Sequence, residues 1–239
     1  MNRRLKLVCL LVFCCFYAGP IFAQSAGLHL TIGVPAGEFK DNVKRAGIGL
    51  SGNFMLFNSS PGLPYSFGLN VGFMNYGSES RREPFSTTIP DVVVDVDRSN
   101  NLVNLHLMFQ IIPPSGKIRP YIETLFGGSY FFTQTTIKSQ GDEEVASSTN
   151  FDDFAWSYGG GAGVLLNLVT FDTPQNKVSS VFLDFKVRYL FGTEAEYLKE
   201  GSVRIVNGRA YYDLSKSKTD LLTFGLGATV YFSSLFETD

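Results

Sequence analysis

Asp184, Lys186 and Arg188 stand two residues apart. In an extended chain that spacing puts all three side chains on one face. Charges of both signs on a shared face either pair with one another or line a path for ions. Glu123 lies in a second alternating stretch and adds an acid to the same polar side, so pairing with Lys186 or Arg188 is expected. His29 and His106 also fall on the polar side of their stretches, beside Leu28 and Leu105 on the apolar side. Two histidines without a cysteine or an Asp/Glu cluster at ligand spacing do not make a metal site. Their expected role is that of hydrogen-bonded fillers in an interior. Nucleophilic catalysis needs a base within hydrogen-bond reach of its nucleophile, and the sequence offers no such constellation. The expectation is therefore no catalytic residue, no metal and no cofactor. Of the two uses of the charges, the interior salt-bridge network is preferred to the ion path, because buried charges need partners.

The stretches that position these residues share a period of two. Apolar and aromatic residues alternate with Gly, Ser, Thr, Asn or charge over Leu28–Val34, Ala46–Leu56, Tyr65–Phe73, Val103–Ile111, Ile122–Phe132, Phe154–Leu166, Val181–Tyr189 and Leu222–Phe232. Period two is the signature of strands with two unlike faces. No helical period competes with it, and interior glycines weaken any helix. Several of these strands reach about ten residues, the length a tilted strand needs to cross a bilayer. Lipid forbids open sheet edges, and eight strands close with an interior that side chains can fill. The expected fold is all-β: an eight-stranded antiparallel up-and-down transmembrane β-barrel.

The connections alternate between long (about 35–45, 77–100, 139–153 and 193–220) and short. The short ones carry turn residues, as in Asn58–Gly62, Pro113–Gly116 and Asp172–Pro174. Membrane barrels have long outer loops and short periplasmic turns. Aromatics gather near the expected ends of the strands, where a girdle meets the membrane boundary. Tyr130, Phe132, Trp156, Tyr158, Tyr189 and Phe191 fall toward the outer ends, and Tyr65, Phe67, Phe109 and Phe232 toward the inner ends. Within the long connections, Ser78–Pro84, Gly141–Glu144 and Thr193–Lys199 read as solvated faces, and Val92–Asp97 alternates as a hairpin rising beyond the membrane does. Asp142, Asp152 and Asp153 do not have the spacing of a calcium loop.

Residues 1–23 read as a signal peptide. Arg3, Arg4 and Lys6 precede an apolar run, and Ile21-Phe22-Ala23 offers cleavage near Ala23. The barrel domain is then 24–239. All three cysteines (Cys9, Cys14 and Cys15) lie in the signal segment, so the mature chain is no disulfide scaffold. Loss of three of the 20 Lys+Arg leaves 17 cations against 22 acids, a net charge of −5. That balance lacks the basic stripe nucleic acid requires.

The glycine-interleaved Trp156–Leu166 segment, Pro120-Tyr121 opening the fifth strand and the closing Leu222–Phe232 strand make the chain similar to a family of small outer-membrane barrels. That family includes the OmpA transmembrane domain, OmpX and OmpW, and the resemblance spans essentially all of 24–239. It implies a Gram-negative outer-membrane location and contact with outer-membrane lipid and lipopolysaccharide. It also implies assembly by the barrel-insertion machinery, read from a terminal aromatic for which Phe232 and Phe236 are the candidates. The implied role is non-enzymatic, structural or surface-interacting through the loops, with a side-chain-filled interior. An OmpW-like conduit for small hydrophobic molecules is the alternative, and a soluble periplasmic barrel of lipocalin type a further one. Barrel enzymes resembling PagL use a His-x-Ser pair. The matching tripeptides here are His29-Leu30-Thr31 and His106-Leu107-Met108.

Overall fold

The computed structural model describes residues 24–86, 89–138, 144–171, 178–199, 201–206 and 209–232. The signal segment, Asp142, the turn Asp172–Pro174 and Phe236 lie outside them. Eight strands close a barrel: β1 (Ser25–Pro35), β2 (Gly47–Phe57), β3 (Tyr65–Ser86), β4 (Ile89–Ile111), β5 (Ile118–Lys138), β6 (Glu144–Thr170), β7 (Val178–Gly192) and β12 (Leu221–Phe232). Each pairs antiparallel with its neighbour in the chain, the connection between β7 and β12 aside, and β12 closes on β1 from Ser25↔Tyr231 to Pro35↔Leu221. Between β7 and β12 the chain forms two short strand pairs, β8 (Glu194–Tyr197) with β11 (Ser215–Lys218) and β9 (Val203–Val206) with β10 (Arg209–Tyr212). Among the described residues no helix is long and apolar enough to cross a membrane.

The alternation sorts the two faces as period two requires. Leu28, Leu30, Ile48, Leu105, Phe126 and Leu226 point outward and are exposed, whereas His29, Ser51, Asn70, His106, Glu123 and Asp184 point inward and are buried. The apolar face is therefore the outside of the barrel, which is the reverse of a lipocalin.

Two expectations are corrected. Within the connections 77–100 and 139–153 the described residues 77–86, 89–100 and 144–153 are strand, and Val92–Asp97 lies in a hairpin, as its alternation suggests. β3 and β4 stay paired as far as Ser86↔Ile89, and β5 and β6 as far as Lys138↔Glu144. β5 has 21 residues, about twice the ten that span a bilayer, so a sheet of β3 to β6 stands above the rim. Cross-strand ion pairs hold it, Lys138–Asp97 at 2.8 Å and Arg82–Asp95 at 3.1 Å. The Lys138 ammonium also holds the Asp97 carboxyl below its ordinary range, with Ser80 assisting. The second correction is a helix, α1 (Gly37–Asn42), in a chain that showed no helical period. One turn and a half is too short to display one.

Candidate functional site

The charged residues of β7 have room because glycines flank them. Lys186 lies across from Gly163 of β6 and Gly225 of β12, Arg188 across from Gly161, and Asp184 across from Gly227. A Cβ at Gly161 would stand 2.8 Å from Arg188 Cγ, and one at Gly225 2.9 Å from Lys186 Cγ. A glycine on at least one side of each thus makes room for these polar side chains in the lumen.

Two carboxylates organise what they meet there. Glu123 takes both arms of Arg188, Nε to Oε1 at 2.6 Å and Nη2 to Oε2 at 3.2 Å, and Gln110 Nε2 donates to Oε2 at 2.9 Å. Such a fork is the stronger form of ion pair. Asp184 accepts from His29 Nε2 at 2.7 Å, from the Tyr121 hydroxyl at 2.7 Å and from Thr229 Oγ1 at 3.2 Å. Lys186 Nζ lies 3.4 Å from Asp184 Oδ2, close enough for an ion pair but without an aligned hydrogen bond. Arg188 Nη2 also reaches Asn53 Oδ1 at 3.4 Å, which Asn70 Nδ2 approaches at 2.7 Å. The network thus draws on every barrel strand except β6, whose glycines make the space. Glu123 pairs with Arg188, and Lys186 turns to Asp184.

His106 needs a correction. It is 1% exposed and faces inward, yet neither ring nitrogen has a hydrogen-bond partner among the described residues. The cause is its neighbours. Gly127 lies across from it on β5 and offers no side chain, and the amide of Asn70 on β3 is already committed to Gly52 O and Asn53 Oδ1.

The lumen is layered, and two of its layers escaped the sequence reading. Above the charges, Met74, Leu102, Met108, Leu125, Leu190 and Leu221 form an apolar layer. Phe39, Tyr76, Phe131 and Tyr197 cap it. Their rings meet edge to face or tilted, with Phe39–Tyr197 centroids 5.1 Å apart and Phe39–Tyr76 5.9 Å. Two outer connections therefore fold into the mouth: α1 supplies Phe39, and β8 supplies Ala195 and Tyr197. Tyr197 shares a 2.6 Å hydrogen bond with Ser217, and burial pushes its hydroxyl pKa up. Below the charges, Arg119 of β5 lies over the rings of Phe182 and Tyr231, which meet each other edge to face. A lumen cavity beside Asp184 and Tyr121 measures about 10 Å³, room for about one water. The signal for Arg119 was available, since Arg119, Tyr121 and Glu123 share one parity. The signal for Phe39 was a lone aromatic in a polar connection, which alternation cannot place.

On the outer surface the aromatics project away from the lumen and stack in pairs. Tyr65 meets Phe109 at 5.8 Å between centroids, and Phe67 pairs across from Phe109. Phe232 ends β12, half-buried. Toward the other end, Tyr130–Phe132 stack at 5.8 Å and Tyr158–Phe191 at 5.7 Å, while Tyr189 tilts on Phe191. Trp156 lies against Phe126 and Phe154. The hydroxyls of Tyr130 and Tyr189 reach Asp152 and Asp220. Among the described residues no group of three His, Cys, Asp or Glu could hold a metal ion.

No family model and no curated protein matches this chain. Solved structures similar to it include the N-terminal β-barrel domain of Pseudomonas aeruginosa OprF, at 13% identity and TM-score 0.39 over 88% of this chain and 98% of that one. The attachment invasion locus protein Ail of Yersinia pestis, in complex with the heparin analogue sucrose octasulfate, is similar at 15% identity and TM-score 0.29, covering 87% and 96%. Neisserial surface protein A is similar at 10% identity and TM-score 0.34, covering 87% and 95%.

Proposed function

We propose that this chain is an integral outer-membrane β-barrel of a Gram-negative envelope, non-enzymatic and blocked along its axis, with a structural or surface-interacting role. The observation that carries the proposal is the inverted polarity of the closed barrel. Leu28, Leu30 and Ile48 are more than 60% exposed, while Glu123, Asp184, Lys186 and Arg188 are at most 5% exposed. In water this arrangement leaves a broad apolar surface unsatisfied, whereas lipid outside and polar groups inside is the pattern a bilayer selects. The apolar belt then contacts outer-membrane lipid and lipopolysaccharide. The aromatic pairs mark its two boundaries, and Phe232 serves the insertion machinery. The packed lumen favours a plug over a conduit, since a cavity of about 10 Å³ passes no hydrophobic molecule. The sheet of β3 to β6 above the rim is the natural face for a surface partner.

The first test is the migration of the membrane fraction on SDS gels with and without boiling. A faster unboiled band, confined to the outer membrane, is expected, and an unshifted band in the soluble periplasm would end the reading. A sharper test uses Leu105, which is 55% exposed on β4. Leu105→Arg is expected to destabilise the lipid-embedded barrel by about 2–4 kcal/mol, the cost of arginine on the lipid face near the midplane. The same change on a water-facing surface stays within about 0.5 kcal/mol. A urea midpoint that does not move would place that face in water.

A further inference from the structure

Arg119 is 4% exposed, and no carboxylate pairs with it among the described residues. The other two deeply buried cations of the lumen both face an acid: Arg188 faces Glu123, and Lys186 faces Asp184. A buried guanidinium without a counter-ion carries a desolvation cost that hydrogen bonds to neutral groups only partly offset. Its position is nonetheless fixed. Nε donates to Pro113 O at 2.7 Å, Nη2 donates to Ser59 Oγ at 2.9 Å, and the plane sits 4.9 Å from the Tyr231 ring centroid and 5.5 Å from that of Phe182. The Tyr231 hydroxyl accepts from it as well. A guanidinium has five N–H donors, so these three bonds leave two for a ligand.

Arg119 forms part of the wall of an open bowl of about 530 Å³ at the inner mouth of the barrel. That volume lies within the range of small-molecule sites, roughly 300–1,000 Å³. Lys117 adds a second cation at the rim, and no acid lines the bowl among the described residues. Hydroxyls and carboxamides, as in Ser59, Asn167 and Ser179, make up much of the rest of the wall, with the aromatic residues Phe171, Phe182 and Tyr231 among them. Each component selects a chemistry. A rigid guanidinium matches a planar carboxylate with two parallel hydrogen bonds. Short hydroxyls and amides match the hydroxyls of a sugar ring, and aromatic faces match its C–H face. An apolar or cationic ligand satisfies neither cation.

We propose that the bowl at the inner mouth is a binding site for a carboxylate-bearing saccharide, anchored by Arg119 and Lys117. The site stands on the fold and not on the membrane reading. Calorimetric titration of the folded, detergent-solubilised full chain with glucuronate, glucose and acetate tests it. Glucuronate is expected to bind at least tenfold more tightly than either glucose, which lacks the carboxylate, or acetate, which lacks the ring. Arg119→Lys keeps the charge but loses the fork, and is expected to weaken glucuronate tenfold or more while the unboiled gel band stays unchanged. Lys117→Ala, at an exposed position, is expected to weaken it less and to leave folding intact. Equal binding of glucuronate and glucose would overturn the anion site. Equal binding of glucuronate and acetate would overturn the saccharide assignment. Absence of glucuronate binding to the parent chain would overturn the proposal altogether.

Discussion

Replacing Arg188 by Met is expected to destabilise the barrel by about 3–5 kcal/mol, the cost of removing one partner from a buried ion pair. The side chains of Glu123 and Arg188 are 0% and 5% exposed, so neither water nor salt can take over the vacated role. What remains after Arg188→Met is a carboxylate with Gln110 as its one aligned partner. The single variant Glu123→Met leaves the converse, an unpaired guanidinium, and is expected to cost a similar amount. The double variant removes both charges and is expected to recover most of the loss, because a pair replaced by apolar groups of similar volume is often neutral. Urea unfolding of the chain folded in lipid vesicles reads all three. Additive losses would mean that the two groups are not coupled. Lys186→Met provides the contrast. Lys186 has one ion contact at 3.4 Å and no aligned hydrogen bond, while Asp184 keeps His29, Tyr121 and Thr229. Its removal is therefore expected to cost far less than that of Arg188.

The contrast also explains what the sequence could tell. Period two needs only local information, so the parity of Asp184, Lys186, Arg188 and Glu123 was legible, as was the outward face of Leu28 and Leu105. The choice of partner was not. Glu123 and Arg188 are 65 residues apart, and nothing local says that Lys186 points to Asp184 instead. Strand ends were illegible for another reason. Toward the tip of the β5–β6 pair neither face is buried, so Gln134–Thr136 and Ser147–Thr149 carry no apolar face and look like loop although they are paired. His106 was misread because its parity was correct while its neighbours were unknown. A polar residue is placed by its own alternation but satisfied by the residues across from it, here Gly127 and an already committed Asn70.

The cap at the outer mouth lies furthest from any local signal, and it yields a second large effect. Phe39 is 1% exposed and touches Tyr76, Phe131 and Tyr197, residues far away in sequence that meet only once the barrel has closed. Phe39→Ala leaves a ring-sized void in that cluster and is expected to cost about 3–5 kcal/mol, the usual range for a buried phenylalanine. The loss should be concentrated at the mouth. α1 touches β11 through Glu38, whose carboxylate accepts from Lys218 N at 3.2 Å, and loosening of α1 should speed amide exchange in Gly37–Asn42 and Ser215–Lys218 ahead of the barrel strands. Conductance in planar bilayers, by contrast, is expected to stay at the level of the parent chain, because the Glu123–Arg188 and Asp184–His29 layer beneath the cap closes the axis independently. Channel openings in Phe39→Ala would mean that the aromatic cap, and not the charged layer, is what closes the barrel. Closed current together with faster exchange at the mouth would assign the seal to the charges and leave the cap the task of holding two outer connections against the rim.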